Sequence, residues 1–186
     1  MADARRFLLL ASLSLLVVSP LQAAGPKWPA AVAPVIPGAS GFVVIPGAAV
    51  PPTSTRIYKA VYDATHAAAH PNDLLPAIDM AGSELNALGA MKVPVANARF
   101  TLVFHGDALD GILDDVHYRQ KFGVPNPNLP VLAQMRRQGV KLYVCGQNLA
   151  FAHIDPATLS RDVAVASDAL IVLMTCQSDG DALLSY

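Results

Sequence analysis

Two apolar segments of the chain each end in a reactive side chain that is followed by a glycine. His105 precedes Gly106 at the end of the first segment, and Cys145 precedes Gly146 at the end of the second. A glycine at such a place lets the backbone turn tightly or approach a ligand closely. If both segments are parallel strands, their carboxyl ends meet at one edge of the sheet, where ligands bind in such folds. The sequence therefore predicts that His105 and Cys145 share that edge.

Cys145 is the candidate nucleophile of the chain. The residues that follow it, Gly146-Gln147-Asn148, are typical of a helix start, where backbone amides and the helix dipole favour the nucleophilic thiolate form. The same position also fits a small buried apolar residue, the more common fate of a lone cysteine. His105 fits either a base or anion-binding group, or a core histidine bonded to a carbonyl. Both pairs of alternatives stay open at this point.

The other residues with metal-binding or thiol chemistry give weaker signals. His66 and His70 have the four-residue spacing of a helical metal site, but Pro71 favours a loop, and no further ligand stands at a motif distance. Cys176 falls in an apolar helical stretch and is interpreted as a packing residue. A disulfide between Cys145 and Cys176 stays open, because sequence does not fix their separation. We predict no metal site and no cofactor.

The elements that must position these residues alternate between strand and helix. Five stretches have the apolar, β-prone character of strands: 56–65, 99–105, 140–144, 163–166 and 182–186. Helical periodicity follows the first strand at Leu74–Leu88, recurs after Asn128, and ends with a stretch from Ser167 to about Gln177. Alternation of this kind predicts an α/β fold in three layers, a mostly parallel sheet of about five strands with helices on both faces.

Particular residues are predicted to begin and end these helices. The first helix is capped by Asn72 or Asp73 and ends at Gly89, since short polar side chains accept the first amides and glycine ends helices. Asn128 and Ser167 are the predicted caps of two later helices, for the same reason.

The first 55 residues differ from the rest of the chain. Residues 1–24 have a basic start, an apolar run from Phe7 to Val18 and small residues at Ala23 and Ala24, a pattern typical of a secretory signal peptide. Residues 25–55 are rich in proline and are interpreted as an extended lead-in to an α/β domain at 56–186. We therefore expect a periplasmic protein, cleaved near Ala23 or Ala24, with no membrane span after cleavage.

Charge and hydropathy restrict the partners. The 186 residues carry a formal net charge of -1 and are 53% hydrophobic, so nothing favours a nucleic-acid partner. The stretch from Ser167 to Gln177 is apolar on more faces than one sheet covers, which predicts a homo-oligomer.

A set of short motifs resembles the DsrE/DsrF-like family, and most closely its exported single-domain members. The motifs are Val103-Phe-His-Gly106, Asn126-Pro127, the stretch Gln138–Gln147, and Val163–Ala169 followed by Gln177 and Gly180. The resemblance spans about Arg56 to Tyr186. It implies a compact α/β fold with flavodoxin-like layering, and homo-oligomers such as dimers, trimers or hexamers. It also implies a cysteine that carries sulfur as a persulfide, as in cytoplasmic relay members.

Two functions follow from the residues and the resemblance together. In the first, Cys145 accepts sulfur from a donor protein or molecule, and His105 is a neighbouring group. Gly106, Gly146, Gln147 and Asn148 would then surround a small sulfur species. The residues after Cys145 lack the arginine-glycine that often follows in relay members. In the alternative, the chain is a non-catalytic oligomeric binding or scaffold module in which Cys145 is inert.

Overall fold

The computed structural model of the protein describes residues 28–186. The predicted signal peptide at residues 1–24 therefore lies outside the described residues. Within residues 28–186, no helix is long and apolar enough to cross a membrane.

Five strands and five α-helices follow one another along the described chain. The strands are β1 Tyr58–Ala64, β2 Ala98–Phe104, β3 Lys141–Cys145, β4 Ala164–Ala166 and β5 Ala182–Ser185. The helices are α1 Pro76–Ala90, α2 Asp115–Phe122, α3 Asn128–Arg137, α4 Gly146–Ala152 and α5 Ala169–Ser178, with short 3-10 segments at Val95–Asn97, Gly106–Ile112 and Pro156–Thr158. Each strand lies within two residues of its predicted bounds.

All five strands join one sheet in the order β4-β3-β2-β1-β5, and every neighbouring pair is parallel. The predicted α/β fold with three layers and helices on both faces is confirmed. The sheet is wholly parallel, where the sequence predicted a mostly parallel one.

The strand order explains how the helices divide between the two faces. From β1 to β4 each strand is added on the same side of the sheet, and the chain then returns across the sheet to place β5 beside β1. Parallel crossovers are right-handed in nearly all proteins, so a connection that runs backward puts its helix on the opposite face. That last connection contains α5, which is therefore the helix on the second face.

The two faces bury different amounts of apolar surface. The larger core lies under α1, α3 and α4 and includes Ile78, Leu102, Phe104, Leu132 and Leu142. The smaller core lies under α5 and consists of Val61, Val103, Cys145, Ala169 and Leu173. Cys145 therefore points to the face that α5 alone covers.

The proline-rich segment before β1 packs on α1. Ile36 is fully buried there, and its amide donates to Oδ1 of Asn86, which is also fully buried. The Asn86 side chain accepts a second amide from Val35, and its nitrogen donates to the carbonyls of Ile36 and Ser40. One buried amide side chain thus satisfies four backbone groups of the proline-rich segment.

Two glycines of α1 allow this close approach. A Cβ added at Gly82 would lie 2.3 Å from Cβ of Ala39, and one at Gly89 would lie 2.5 Å from Cγ2 of Val35. The prediction that Gly89 ends the helix is wrong, since α1 continues to Ala90. Gly89 provides space for a neighbouring segment, a requirement that the sequence of the helix does not reveal.

The predicted helix caps also need correction. Leu75, not Asn72 or Asp73, occupies the cap position of α1, and no side chain caps it. Asn128 is the first residue of α3, and its Oδ1 accepts the amide of Leu75 instead. At α5 the cap is Asp168 in place of Ser167, with its carboxylate accepting the Leu170 amide at 2.8 Å.

Asn86→Ala tests the attachment of the proline-rich segment to α1. The change leaves the amides of Val35 and Ile36 buried without partners, so the free energy of unfolding should fall by about 2–4 kcal/mol. Urea denaturation measures the loss. Asn72→Ala is the matched control, because Asn72 is exposed and should change stability little. Equal stability of both variants would contradict this account of Asn86.

Candidate functional site

His105 and Cys145 lie side by side at the carboxyl edge of the sheet. Phe104 of β2 pairs with Val144 of β3, so the same register continued by one residue brings His105 beside Cys145. Side chains of alternate strand residues point to the same face, and both therefore project toward α5. The edge predicted from the two strand ends is present in the fold.

His105 is held by a carboxylate from the next strand. Its Nε2 lies 2.6 Å from Oδ1 of Asp63 near the end of β1, and both side chains are about one-fifth exposed, at 22% and 20%. An imidazole oriented by a carboxylate has a fixed ring position and tautomer. The partner of His105 is thus a carboxylate, where the core-histidine alternative expected a backbone carbonyl.

Asp63 was missed in the sequence. It lies inside the apolar stretch that forms β1, where a single polar residue gives little signal. The position of Asp63 in the strand was the available signal. Alternate residues of a strand share one face, so residues 59, 61 and 63 point the same way, and position 63 falls near the carboxyl end of β1. Asp63 also lies where the strand order reverses, between β1 and β5, because its backbone carbonyl accepts the amide of Tyr186 at 3.0 Å. Ligands bind at such reversal points in open α/β sheets.

The Cys145 sulfur faces the amino end of α5. Its Sγ accepts the backbone amide of Ala169, the first residue of α5, at 3.3 Å. The sequence placed the thiol against the helix that begins at Gly146. Cys145 does precede that helix, but its side chain makes no capping hydrogen bond there. The helix terminus that meets the sulfur belongs to a distant part of the chain.

Two opposing electrostatic effects act on this sulfur. The Ala169 amide and the amino end of α5 favour negative charge at Sγ. The carboxylate of Asp168 disfavours it, and its Oδ1 accepts a long hydrogen bond from the thiol at 4.0 Å. Cys145 is also only 4% exposed. The arrangement keeps a shielded thiol next to a donor that can hold a sulfur anion.

The two predicted glycines have different structural roles. Gly106 has a φ of +57°, a conformation that side-chain-bearing residues rarely adopt. A Cβ added at Gly146 would lie 2.6 Å from the carbonyl oxygen of Ala166 in β4, so only glycine lets β4 approach so closely. Both glycines shape the edge that carries His105 and Cys145.

The two predicted polar residues tie neighbouring segments together. Oδ1 of Asn148 accepts the amide of Gly106 at 3.0 Å, which joins the end of β2 to α4. Nε2 of Gln147 donates to the carbonyl of Ser167 at 3.3 Å, which joins α4 to the segment before α5. In this structure both side chains therefore bind the protein itself.

Cys176 lies at the other end of α5 from Cys145. Ala169, which contacts the Cys145 sulfur, precedes Cys176 by seven residues, a distance of about 10 Å along a helix axis. Both cysteines are free, so the disulfide left open by the sequence is not formed. Cys176 packs on the smaller core and is half-buried, which makes it the more exposed thiol of the two.

Burial raises the pKa of the Cys176 thiol above its usual range. A raised thiol pKa means that the neutral form predominates near neutral pH, and that the reactive thiolate forms only at higher pH.

A protein-family model matches the part of the chain that forms this site. The family model described as DsrE/DsrF-like matches residues 50–186. The chain belongs to the DsrE/DsrF-like family. That match contains the whole sheet, all five α-helices and every candidate site residue, and it agrees with the resemblance seen in the sequence motifs.

Two solved structures are similar to this DsrE/DsrF-like chain. The ychN protein from E. coli is 19% identical, with a TM-score of 0.49 and coverage of 69% of this chain and 99% of that chain. The protein of unknown function MTH1491 from Methanobacterium thermoautotrophicum is 15% identical, with a TM-score of 0.47 and the same coverage. Among curated proteins, none matches the chain at a significant level.

Asp168→Asn tests the opposing charges at Cys145. Asparagine still accepts the Leu170 amide, so α5 stays capped, while the negative charge 4.0 Å from the sulfur is removed. A charge pair at that distance contributes about 1 kcal/mol even in water-like surroundings, so alkylation of Cys145 by iodoacetamide should become about fivefold faster. Peptide mapping measures the rate.

Asp179→Asn is the matched control, since it removes the same charge at the opposite end of α5. It should leave the Cys145 rate unchanged. A Cys145 rate that is the same in the wild type and in Asp168→Asn would contradict a thiolate governed by this carboxylate.

Proposed function

We propose that the protein accepts sulfane sulfur on Cys145 and carries it as a persulfide. The observation that carries the proposal is the hydrogen bond from the Ala169 amide to the Cys145 sulfur, at 3.3 Å. A persulfide is an anion at neutral pH, and a helix amino end is a place where backbone amides bind anions. The Asp63–His105 pair on the same edge supplies the proton acceptor that such a thiol requires.

The transfer step is an exchange between sulfur atoms. The Cys145 thiolate attacks the terminal sulfur of a polysulfide or persulfide donor and forms a new sulfur–sulfur bond. The donor's own sulfur–sulfur bond breaks, and its electron pair leaves with the remaining donor sulfur, which takes up a proton. No net oxidant or reductant is needed, since one such bond replaces another. Passing the sulfur to an acceptor thiol is the reverse exchange.

His105 and Asp63 have distinct roles in this proposal. The imidazole beside Cys145 takes the thiol proton before attack and returns a proton to the departing thiolate. Asp63 is a positioning residue, because its carboxylate holds one ring nitrogen of His105 at 2.6 Å and leaves the other for the reaction. Gly106 provides the turn after His105, and Gly146 allows the close approach of β4 beside Cys145.

Two observations favour the alternative, a binding or scaffold module with an inert thiol. Cys145 is 4% exposed, and the Asp168 carboxylate disfavours negative charge beside it. The two functions differ in one measurable property, the capacity of Cys145 to gain sulfur while the chain is folded.

Mass spectrometry of the reduced, folded protein after exposure to polysulfide or thiosulfate tests the proposal. We expect a mass gain of one sulfur atom, located on the peptide that contains Cys145 and removed by reductant. Cys145→Ser should abolish the gain, because the accepting atom is lost. Cys176→Ser is the matched control and should retain it. A gain found only on Cys176, or only after unfolding, would favour the inert module.

We also propose that the protein is a homo-oligomer that associates through α5. Three apolar residues on the outer side of this helix are more than half exposed: Leu170 at 60%, Ile171 at 52% and Met174 at 55%. Leu183 of the edge strand β5 adds to the same face at 42% exposed. Residues 169–178 contain no charged side chain, so the face suits another uncharged face. A second copy of α5 provides such a surface.

Met174→Glu tests this interface. A buried carboxylate without a partner strongly disfavours association, so the variant should be a monomer by light scattering where the wild type is at least a dimer. Val116→Glu is the matched control, because Val116 is 60% exposed on α2 and should leave the assembly unchanged. A wild-type protein that is monomeric at micromolar concentration would contradict the proposal.

The proposed place of action is the periplasm. The support is the sequence pattern of residues 1–24, with cleavage near Ala23 or Ala24. A donor and an acceptor of sulfur in that compartment are then the partners of Cys145.

A further inference from the structure

A second cavity lies at the opposite end of the sheet from Cys145. It has a volume of about 240 Å³ and is bounded by the amino ends of the strands and by the end of α5. This volume is smaller than the roughly 300–1,000 Å³ of pockets for drug-sized ligands. The cavity therefore suits a ligand of a few heavy atoms.

Three cationic side chains from adjacent strands line this cavity. They are Lys59 of β1, Arg99 of β2 and Lys141 of β3. Lys59 pairs directly with Arg99 in the sheet register, while Lys141 pairs with Thr101, two residues from Arg99. All of them project to the face that α5 covers. Like charges directly opposite each other destabilise a sheet unless something neutralises them.

Carboxylates of the protein neutralise only part of this charge. Lys59 lies 3.8 Å from the Asp181 carboxylate and donates to the backbone carbonyl of Asp179. Within residues 28–186, neither Arg99 nor Lys141 has a carboxylate within 4.0 Å. With the carboxylates of Asp179 and Asp181 included, the lining keeps a net positive charge.

Neutral hydrogen-bond donors complete the lining. Thr101 is only 4% exposed and presents its hydroxyl on the β2 wall. Cys176 forms part of the α5 wall, and its thiol stays protonated near neutral pH because burial and the neighbouring Asp181 carboxylate raise its pKa. Arg99 and Lys141 are exposed cations, and with the neutral donors beside them they suit an anion with several oxygen acceptors.

We propose that this cavity binds a small oxyanion, of the size of sulfate, through Arg99 and Lys141. The lining carries three cations, Lys59, Arg99 and Lys141, and two carboxylates, Asp179 and Asp181, so its net positive charge attracts an anion. The guanidinium of Arg99 provides two parallel donors to oxygen atoms, and Lys141 and Thr101 provide single donors from neighbouring strands. The site is independent of Cys145, which lies at the other end of α5.

Thermal unfolding of the purified protein in sulfate, phosphate and thiosulfate tests the proposal, with chloride keeping the ionic strength constant. A ligand that binds only the folded state raises the unfolding midpoint and saturates with concentration. We expect saturable stabilisation by at least one of these oxyanions. Arg99→Gln and Lys141→Gln should each weaken the binding about tenfold or more, since each removes a charged hydrogen bond.

Arg137→Gln is the matched control, because Arg137 is an exposed cation on α3 that does not line the cavity. It should leave the binding unchanged, as should Cys145→Ser.

A second measurement is protection of Cys176 from iodoacetamide by the bound ion. Stabilisation that never saturates, or that falls equally in Arg137→Gln and Arg99→Gln, would overturn the site. Circular dichroism establishes that each variant is folded.

Discussion

The direction of one chain connection decides most of the chemistry available to this protein. After β4 the chain runs back across the sheet to β5, so the right-handed crossover places α5 on the face opposite to α1, α3 and α4. One helix therefore covers a face that the other helices cannot reach. Its amino end meets the Cys145 sulfur, its far end forms a wall of the cationic cavity, and its outer side remains apolar. These three features have a common origin in the strand order.

On the opposite face of the sheet, the segment around Ile36 packs closely against α1, whereas a single helix covers the α5 face. Gly82 and Gly89 leave space on α1, and the segment around Ile36 fills it. Asn86 makes that fit possible, since a backbone segment without regular structure needs its amides and carbonyls satisfied inside the protein. The larger core thus extends beyond the helices and strands of the α/β domain. The packing of α1, which contacts β1 and β2, is completed by residues that precede the sheet.

Local patterns in the sequence were sufficient to predict the strands and the shared edge of His105 and Cys145. Apolar runs with clear ends determine strands, and the carboxyl ends of parallel strands meet whatever their order. The contacts of Cys145 with Asp168 and Ala169 depend on the strand order, which no local pattern contains. Asp63 was hidden for the same reason, because its importance comes from the neighbouring strand. Gly89 was misread as a helix end, since a glycine that stops a helix and one that admits a neighbour look alike in sequence.

The cover over Cys145 also has a consequence for which molecules can react there. Exchange between sulfur atoms needs the attacking atom, the attacked sulfur and the leaving sulfur nearly in line, and a sulfur that is 4% exposed offers little room for that approach. A small inorganic sulfur chain would reach a sulfur so covered more easily than a cysteine on the surface of a folded protein would. In the proposed sulfur exchange, this cover would exclude bulky thiols and disulfides by their size, before any difference in their chemistry matters.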